Sequence, residues 1–178
     1  MISDYITIYE TMNFKVEVVP KPHVSREEGG HLRIKAKEKK FSSRMDLNPD
    51  EAKEVMRLSM ITAKALKEGM TAIGVPIIRI NFMEAGNWAV KQGKPFFFHI
   101  HIYGRTENAK IQIWPEAVQL PDRETGFYND FIPLNEEDIK EIKKQFSIIE
   151  KEEKYNLDNW KWNILDYKNI YKGENNDI

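Results

Sequence analysis

Residues 95–105, Pro-Phe-Phe-Phe-His-Ile-His-Ile-Tyr-Gly-Arg, alternate bulky apolar side chains with two histidines. That pattern is a strand's, bracketed by the proline and the glycine. A period of two sends Phe97, His99, His101 and Tyr103 to one face, and Phe98, Ile100 and Ile102 to the other. Such a strand constrains the fold strongly. Its apolar face needs a core to lie on, and its other face sets two imidazoles side by side. Taken alone, a His-X-His pair fits filler of a half-buried face, two metal ligands or a catalytic pair. The rest of the chain has to separate these.

The 178 residues predict one domain with a tail. Basic and acidic residues balance at 27 against 28, so no overall charge favours nucleic acid as a partner. No apolar run approaches the roughly 20 residues of a membrane span. The N-terminus lacks a basic start followed by an apolar stretch, so no secretory signal is expected. Without cysteines there are no disulfides and no cysteine-ligated zinc, and a cytoplasmic setting is the expectation.

Along the chain, residues 14–19 and 31–36 alternate as strands, separated by Pro20-Lys21-Pro22 and a Gly29-Gly30 turn. Two more strands are expected at 76–82 and 97–103, and a fifth at 109–114. A helix is signalled over 49–68. Asn48 caps it, Pro49 suits its first position, Glu51 completes a capping box and Gly69 stands where a C-cap belongs. A second helix, 136–150, is capped by Asn135 with Asp138 three residues on. Strands and helices in this order, without regular βαβ alternation, predict an antiparallel α+β domain of about five strands and two main helices. The stretch to Ile178 is polar, with Trp160 and Trp162 as its strong anchors.

Three segments then resemble the histidine-triad (HIT) superfamily of nucleotide hydrolases and transferases, in the family's order. They are Gly29-Gly30-His31-Leu32-Arg33-Ile34-Lys35-Ala36-Lys37, Asp46-Leu47-Asn48-Pro49-Asp50-Glu51-Ala52, and the His99-X-His101 strand with Gly104-Arg105 behind it. The likeness covers roughly residues 15–115. It implies a HIT-like sheet, a catalytic core at 1–115, and a C-terminal extension at 116–178 carrying one helix packed on that core.

The family pattern is His-X-His-X-His, with the middle histidine as nucleophile; this chain has two of the three. A basic residue commonly follows the third histidine by four, and Arg105 so follows His101. That register makes His99 the nucleophile, His101 the third histidine and Phe97 the replacement for the first. The other register makes His101 the nucleophile and Tyr103 the third member. A missing flanking imidazole removes a proton-handling partner in either case.

The resemblance also implies roles for other residues. His23 falls where the family contacts the ribose hydroxyls, and a solvated loop histidine is the alternative. His31 matches a strand histidine that supports the site from behind. The loop before the triad strand offers Asn87, Gln92 and the backbone at Gly86 and Gly93 as phosphate contacts, with Lys91 and Lys94 adding charge and Arg105 beside them. The lysines at 35, 37, 39 and 40 read as a solvated face. Trp114, Arg123, Phe127 and Tyr128 either pin the last helix or shape the leaving-group side.

The chemistry suits these residue types. A neutral imidazole, with an ordinary pKa near 6.5, offers one lone pair while its other nitrogen donates to a fixed acceptor such as a backbone carbonyl. Attack on an α-phosphoryl group gives a nucleotidyl-histidine intermediate, and a neighbouring imidazole stabilises the shifting charge. The resemblance implies a purine-nucleotide hydrolase or nucleotidyl transferase, requiring no metal or cofactor and forming a homodimer through its sheet and the Met56–Met60 side of its first helix. The alternatives are a non-catalytic nucleotide-binding protein and a metal site drawing on His99, His101 and His23.

Overall fold

The computed structural model describes residues 4–38, 41–91 and 93–161. Its strands are β1 (Ile6–Glu10), β2 (Phe14–Val18), β3 (His31–Ala36), β4 (Arg79–Met83) and β5 (His99–Arg105). They form one antiparallel sheet in the order β1-β2-β3-β5-β4. The helices are α1 (Pro49–Ala72), a single turn α2 (Trp88–Lys91) and α3 (Glu136–Ile149). The α+β architecture of five strands and two main helices is the one the sequence predicts.

Alternation divides the sheet. Phe14, Val16, Val18, Leu32, Ile34, Phe98, Ile100 and Ile102 all belong to the buried core. Leu58, Ile61, Ala65 and Leu66 of α1 close over them, and α3 adds Ile142, Phe146 and Ile149 to the same cluster. Burying a side chain of this size stabilises by roughly 1.5–3 kcal/mol, so this layer carries most of the fold's apolar stabilisation. Both helices begin as their sequences dictate. Asn48 accepts from the backbone N–H groups of Asp50 and Glu51, and the Glu51 side chain returns to the Asn48 N–H; Asn135 and Asp138 repeat the arrangement.

Three expectations need correction, and β1 is a strand beyond those expected. The segment 109–114 alternates but is no strand, because the N–H groups of Lys110, Ile111 and Gln112 donate to the Glu28 carboxylate rather than to a neighbouring strand. Gly69 does not end α1, which runs on to Ala72; a Cβ there would sit 3.0 Å from Ile142, so glycine allows α1 and α3 to cross closely. Gly104 does not end its strand either. It lies inside β5, packed against the backbone of Gly29, where a Cβ would come within 2.3 Å of the Gly29 carbonyl oxygen. Gly29 and Gly30 turn with φ of 122° and 81°, and the Gly104 N–H donates to the Gly30 carbonyl at 3.1 Å. That seam fixes the start of β3 beside the end of β5.

The apolar stripe of α1 is spent largely within the chain's own core. Leu58 and Ile61 are fully buried and Met60 is partly buried, while Met56 is 53% exposed. Trp162, Lys39, Lys40 and Gln92 lie outside the described residues.

Candidate active site

The opposite face of the sheet is polar. Pairing of β3 with β5 sets His31 against Tyr103, Arg33 against His101 and Lys35 against His99. Pairing of β2 with β3 sets Glu17 against Arg33. A cavity of about 690 Å³ opens over these residues, bordered by residues 85–89 and 94–97 and by Leu120 and Arg123. Its lining includes His23, His31, His99 and His101, so all four histidines meet in one place.

They are joined by a continuous run of hydrogen bonds. The His23 backbone N–H donates to His31 Nδ1 at 3.1 Å. His31 Nε2 meets His101 Nδ1 at 2.8 Å, and His101 Nε2 meets His99 Nε2 at 3.0 Å. His99 Nδ1 then meets the Phe97 carbonyl oxygen at 3.0 Å. A backbone N–H can only donate and a carbonyl can only accept, so the two ends impose a direction on everything between. Neutral His31 carries its proton on Nε2 and donates to His101. His101 likewise carries its proton on Nε2 and donates to His99, which carries its own on Nδ1 and donates to Phe97.

The neutral state is the favoured one. Burial pushes the pKa of all four histidines down, to about 4 for His23 and about 2 for His101, and repulsion from neighbouring histidines adds to it at His23, His31 and His101. Arg33 and Arg123 reinforce the shift at His31 and His101. His99 therefore keeps a lone pair on Nε2 near neutral pH, with its ring aimed by a backbone carbonyl. Both nitrogens of His101, by contrast, face other imidazoles.

The same directions bear on metal binding. Ligand atoms of His23, His31 and His101 lie within 4.8 Å of one another, close enough to converge on one ion. The His23 N–H occupies the Nδ1 lone pair of His31, which leaves the proton on Nε2, the nitrogen facing His101. In this arrangement His31 has no lone pair to give a metal.

The remaining sequence-selected residues divide. His23 is buried rather than solvated; its Nδ1 shares a 3.0 Å hydrogen bond with the Tyr103 hydroxyl, and its ring lies among Trp88, Tyr128 and His31. Burial raises the pKa of Tyr103, which keeps the phenol protonated. Phe97 stacks on His99 with ring centroids 4.6 Å apart. Asn87, Gly86 and Lys94 line the cavity, but Gly93 and Lys91 do not, and Lys91 pairs with Asp122. Arg105 lies away from the cavity. Its buried guanidinium donates to Asn81 and to the carbonyls of Gln112, Ile113 and Glu116, so it fastens the segment after β5. Trp114 sits beside Arg105 rather than over the histidines. Arg123 lines the cavity, donates to the Lys21 carbonyl and lies over the rings of Trp88 and Tyr128.

Sequence reasoning passed over Glu17, Glu28 and Tyr5. Glu17 holds Arg33 at 2.5 Å and Lys15 at 2.7 Å, and Tyr5 covers the Arg33 guanidinium at 3.8 Å. Alternation of charge across 15, 17, 33 and 35 was the available signal, since period two places those residues on the histidine face.

No family model and no curated protein matches the chain. Solved structures do. A histidine triad (HIT) protein from Sinorhizobium meliloti 1021 superposes with a TM-score of 0.57 at 16% identity, over 82% of this chain and 89% of that one. A hypothetical histidine triad nucleotide-binding protein from Sulfolobus tokodaii gives 0.52 at 16%, over 90% and 93%. The chain has the histidine-triad fold. A zinc-bound histidine triad family protein from Mycobacterium smegmatis is similar as well, at 0.53 and 19%, over 83% and 88%. Within that HIT fold the histidine face of β3 and β5 is the candidate active site, with Phe97 two residues before the first histidine of β5.

Proposed function

We propose that the protein is a nucleotide hydrolase or nucleotidyl transferase acting at an α-phosphate through His99. The observation that carries this reading is the hydrogen bond from His99 Nδ1 to the Phe97 carbonyl, which leaves Nε2 as the reactive nitrogen inside the cavity. It favours His99 over His101 as nucleophile, because neither nitrogen of His101 has a fixed backbone acceptor. The nucleotide-binding name of the Sulfolobus tokodaii neighbour supports the same substrate class.

In this reading, an incoming phosphate oxygen takes over the N–H that His101 directs at His99, and frees the His99 lone pair. Nε2 attacks the α-phosphorus, the bond from phosphorus to the leaving-group oxygen breaks, and that oxygen departs with the electron pair. Water or another hydroxyl then attacks phosphorus, the P–N bond breaks, and the acceptor's proton passes to solvent. His101 steadies the non-bridging oxygen in both steps. His31 acts through His101 by fixing its tautomer. Asn87, Lys94 and His23 are proposed to contact substrate, and a two-fold dimer is the proposed assembly, tested by light scattering at micromolar concentration.

The test is mass spectrometry of protein quenched during turnover of a nucleotide substrate. A nucleotidyl adduct on His99 is expected, with a fall of at least about a thousandfold in His99→Ala. No adduct, together with full activity in that variant, would end the proposal. A second reading is a nucleotide-binding protein without turnover, favoured by Phe97 stacking on His99 where a third imidazole is missing. Calorimetric binding of nucleotides with no product released across adenosine and guanosine substrates would select it.

A further inference from the structure

We infer that Lys35 and Arg33 form an anion site on the floor of the cavity, built to receive a phosphate or diphosphate group directly opposite the two β5 histidines. The sheet register supplies the juxtaposition. Lys35 pairs with His99 and Arg33 pairs with His101, and all four side chains line the cavity. Directly opposed residues on one face of an antiparallel pair have Cβ atoms about 4.5–5.5 Å apart, so both cationic side chains start beside the imidazoles.

The two cations are held differently. Arg33 is buried, gripped by Glu17 through Nε and Nη2 and covered by Tyr5, so its guanidinium is fixed in orientation. Glu17 is shared with Lys15, which leaves the group Arg33, Lys15 and Glu17 with a net positive charge. Lys35 lies toward the Phe97 ring, its Nζ 5.6 Å from the centroid. It therefore stands over the position whose imidazole is missing. The cavity lining carries Arg33, Lys35, Lys94 and Arg123 against the single carboxylate of Glu17. Such a lining favours an anion, and the burial of Arg33 and partial burial of Lys35 and Arg123 make those charges worth more than they are at the open surface, where Lys94 stands. Arg33 and Lys35 lower the pKa of His99 and Glu84 raises it, in keeping with the nearness of all three charges to that ring.

The role deepens the proposed function and rests on it only in one respect. If His99 attacks phosphorus, Lys35 supplies the positive charge beside the phosphoryl oxygens that Phe97 cannot. The anion site itself is tested without any nucleotide.

The probe is pyrophosphate, titrated calorimetrically into the full chain and into Lys35→Met, Lys35→Arg and Lys67→Met. Lys67 is exposed on α1, on the far side of the sheet, and controls for loss of one positive charge. A rise in Kd of about tenfold is expected for Lys35→Met, less than about threefold for Lys35→Arg, and no change beyond about twofold for Lys67→Met. As a check that needs no variant, amide resonances of residues 33–35 and 99–101 are expected to move as pyrophosphate is added to the native protein. Absence of binding, unmoved resonances at those strands, or equal affinities in Lys35→Met and Lys67→Met would overturn the anion site. Pyrophosphate binding through Lys35 with no adduct on His99 from any nucleotide would preserve the anion site and discard the hydrolase reading.

Discussion

The two faces of one sheet are built by different means. The helix-covered face is made from residues whose neighbours in sequence announce them: alternating strands, capped helices and apolar stripes. The histidine face uses the same strands but depends on irregular chain beyond β5 that buried polar side chains hold in place. Glu28 accepts three backbone N–H groups from 110–112, and Arg105 donates to three carbonyls between 112 and 116. One face needs hydrophobic burial, which tolerates repacking; the other needs donors and acceptors to meet in fixed directions. The contrast teaches where this chain is fragile and where it is permissive.

The strongest way to break the contrast is to strike the seam that positions the histidine face. Gly104→Ala puts a Cβ 2.3 Å from the Gly29 carbonyl oxygen and 2.8 Å from its carbon, a clash of backbone with backbone. No rotamer relieves it, so β3 and β5 must separate. A loss of about 3 kcal/mol or more in urea unfolding is expected, larger than the cost of a typical conservative core substitution. A Gly104→Ala protein as stable as the parent would show that the seam is not what seats His31 beside Tyr103.

The helix-covered face was also the legible one. Asn48, Pro49 and Glu51 announced α1, and Asn135 with Asp138 announced α3, because capping is chemistry among residues three apart. Period two correctly split β5 into a core face and a histidine face. The same signal failed at 109–114 and was overlooked at Ile6–Glu10. Locally the two segments look alike. What separates them is partners: β1 finds β2 a few residues on, whereas Ile111 gives its N–H to Glu28, 83 residues away. The site was half legible for the same reason. Two histidines on one strand are visible in sequence, but the line from His23 through His31 to His101 depends on register between β3 and β5 and on the turn at Gly29. Arg105 illustrates the converse, since its spacing from His101 matched a motif while its guanidinium went to loop carbonyls.

Acid sharpens the comparison without mutation. His23, His31, His99 and His101 all have pKa values lowered by burial, to about 4 for His23 and about 2 for His101. The unfolded chain takes up these protons near pH 6.5 and the folded chain does not. Stability from keeping them neutral is therefore fully present above about pH 6.5, and is lost as pH falls toward the folded values. With its pKa held at about 4, His23 contributes a loss of roughly 2 kcal/mol between pH 7.5 and 5, and the lowered pKa values of its three neighbours act in the same direction. Urea midpoints measured at both values should fall in the parent and fall less in His101→Asn. A parent midpoint independent of pH across that range would contradict the neutral, direction-locked run of imidazoles.

The smallest effect is expected on the helix-covered face, at Gly69. An alanine Cβ there would lie 3.0 Å from Ile142 Cγ1 and 3.1 Å from the Ile142 Cα, tighter than ordinary contact. One of these neighbours is the flexible part of a side chain; the other requires α3 to slide by a few tenths of an ångström. Against that strain stands the helix propensity gained by replacing glycine in a helix interior, about 1 kcal/mol. The two nearly cancel, so Gly69→Ala should change stability by no more than about 1 kcal/mol, measured by the same urea unfolding as Gly104→Ala. Two glycines, each at a close crossing, thus separate the faces: side-chain packing can give at Gly69, and backbone against backbone cannot at Gly104. A loss at Gly69 as large as that at Gly104 would mean the helical layer is as rigidly specified as the histidine face, and the contrast would fail.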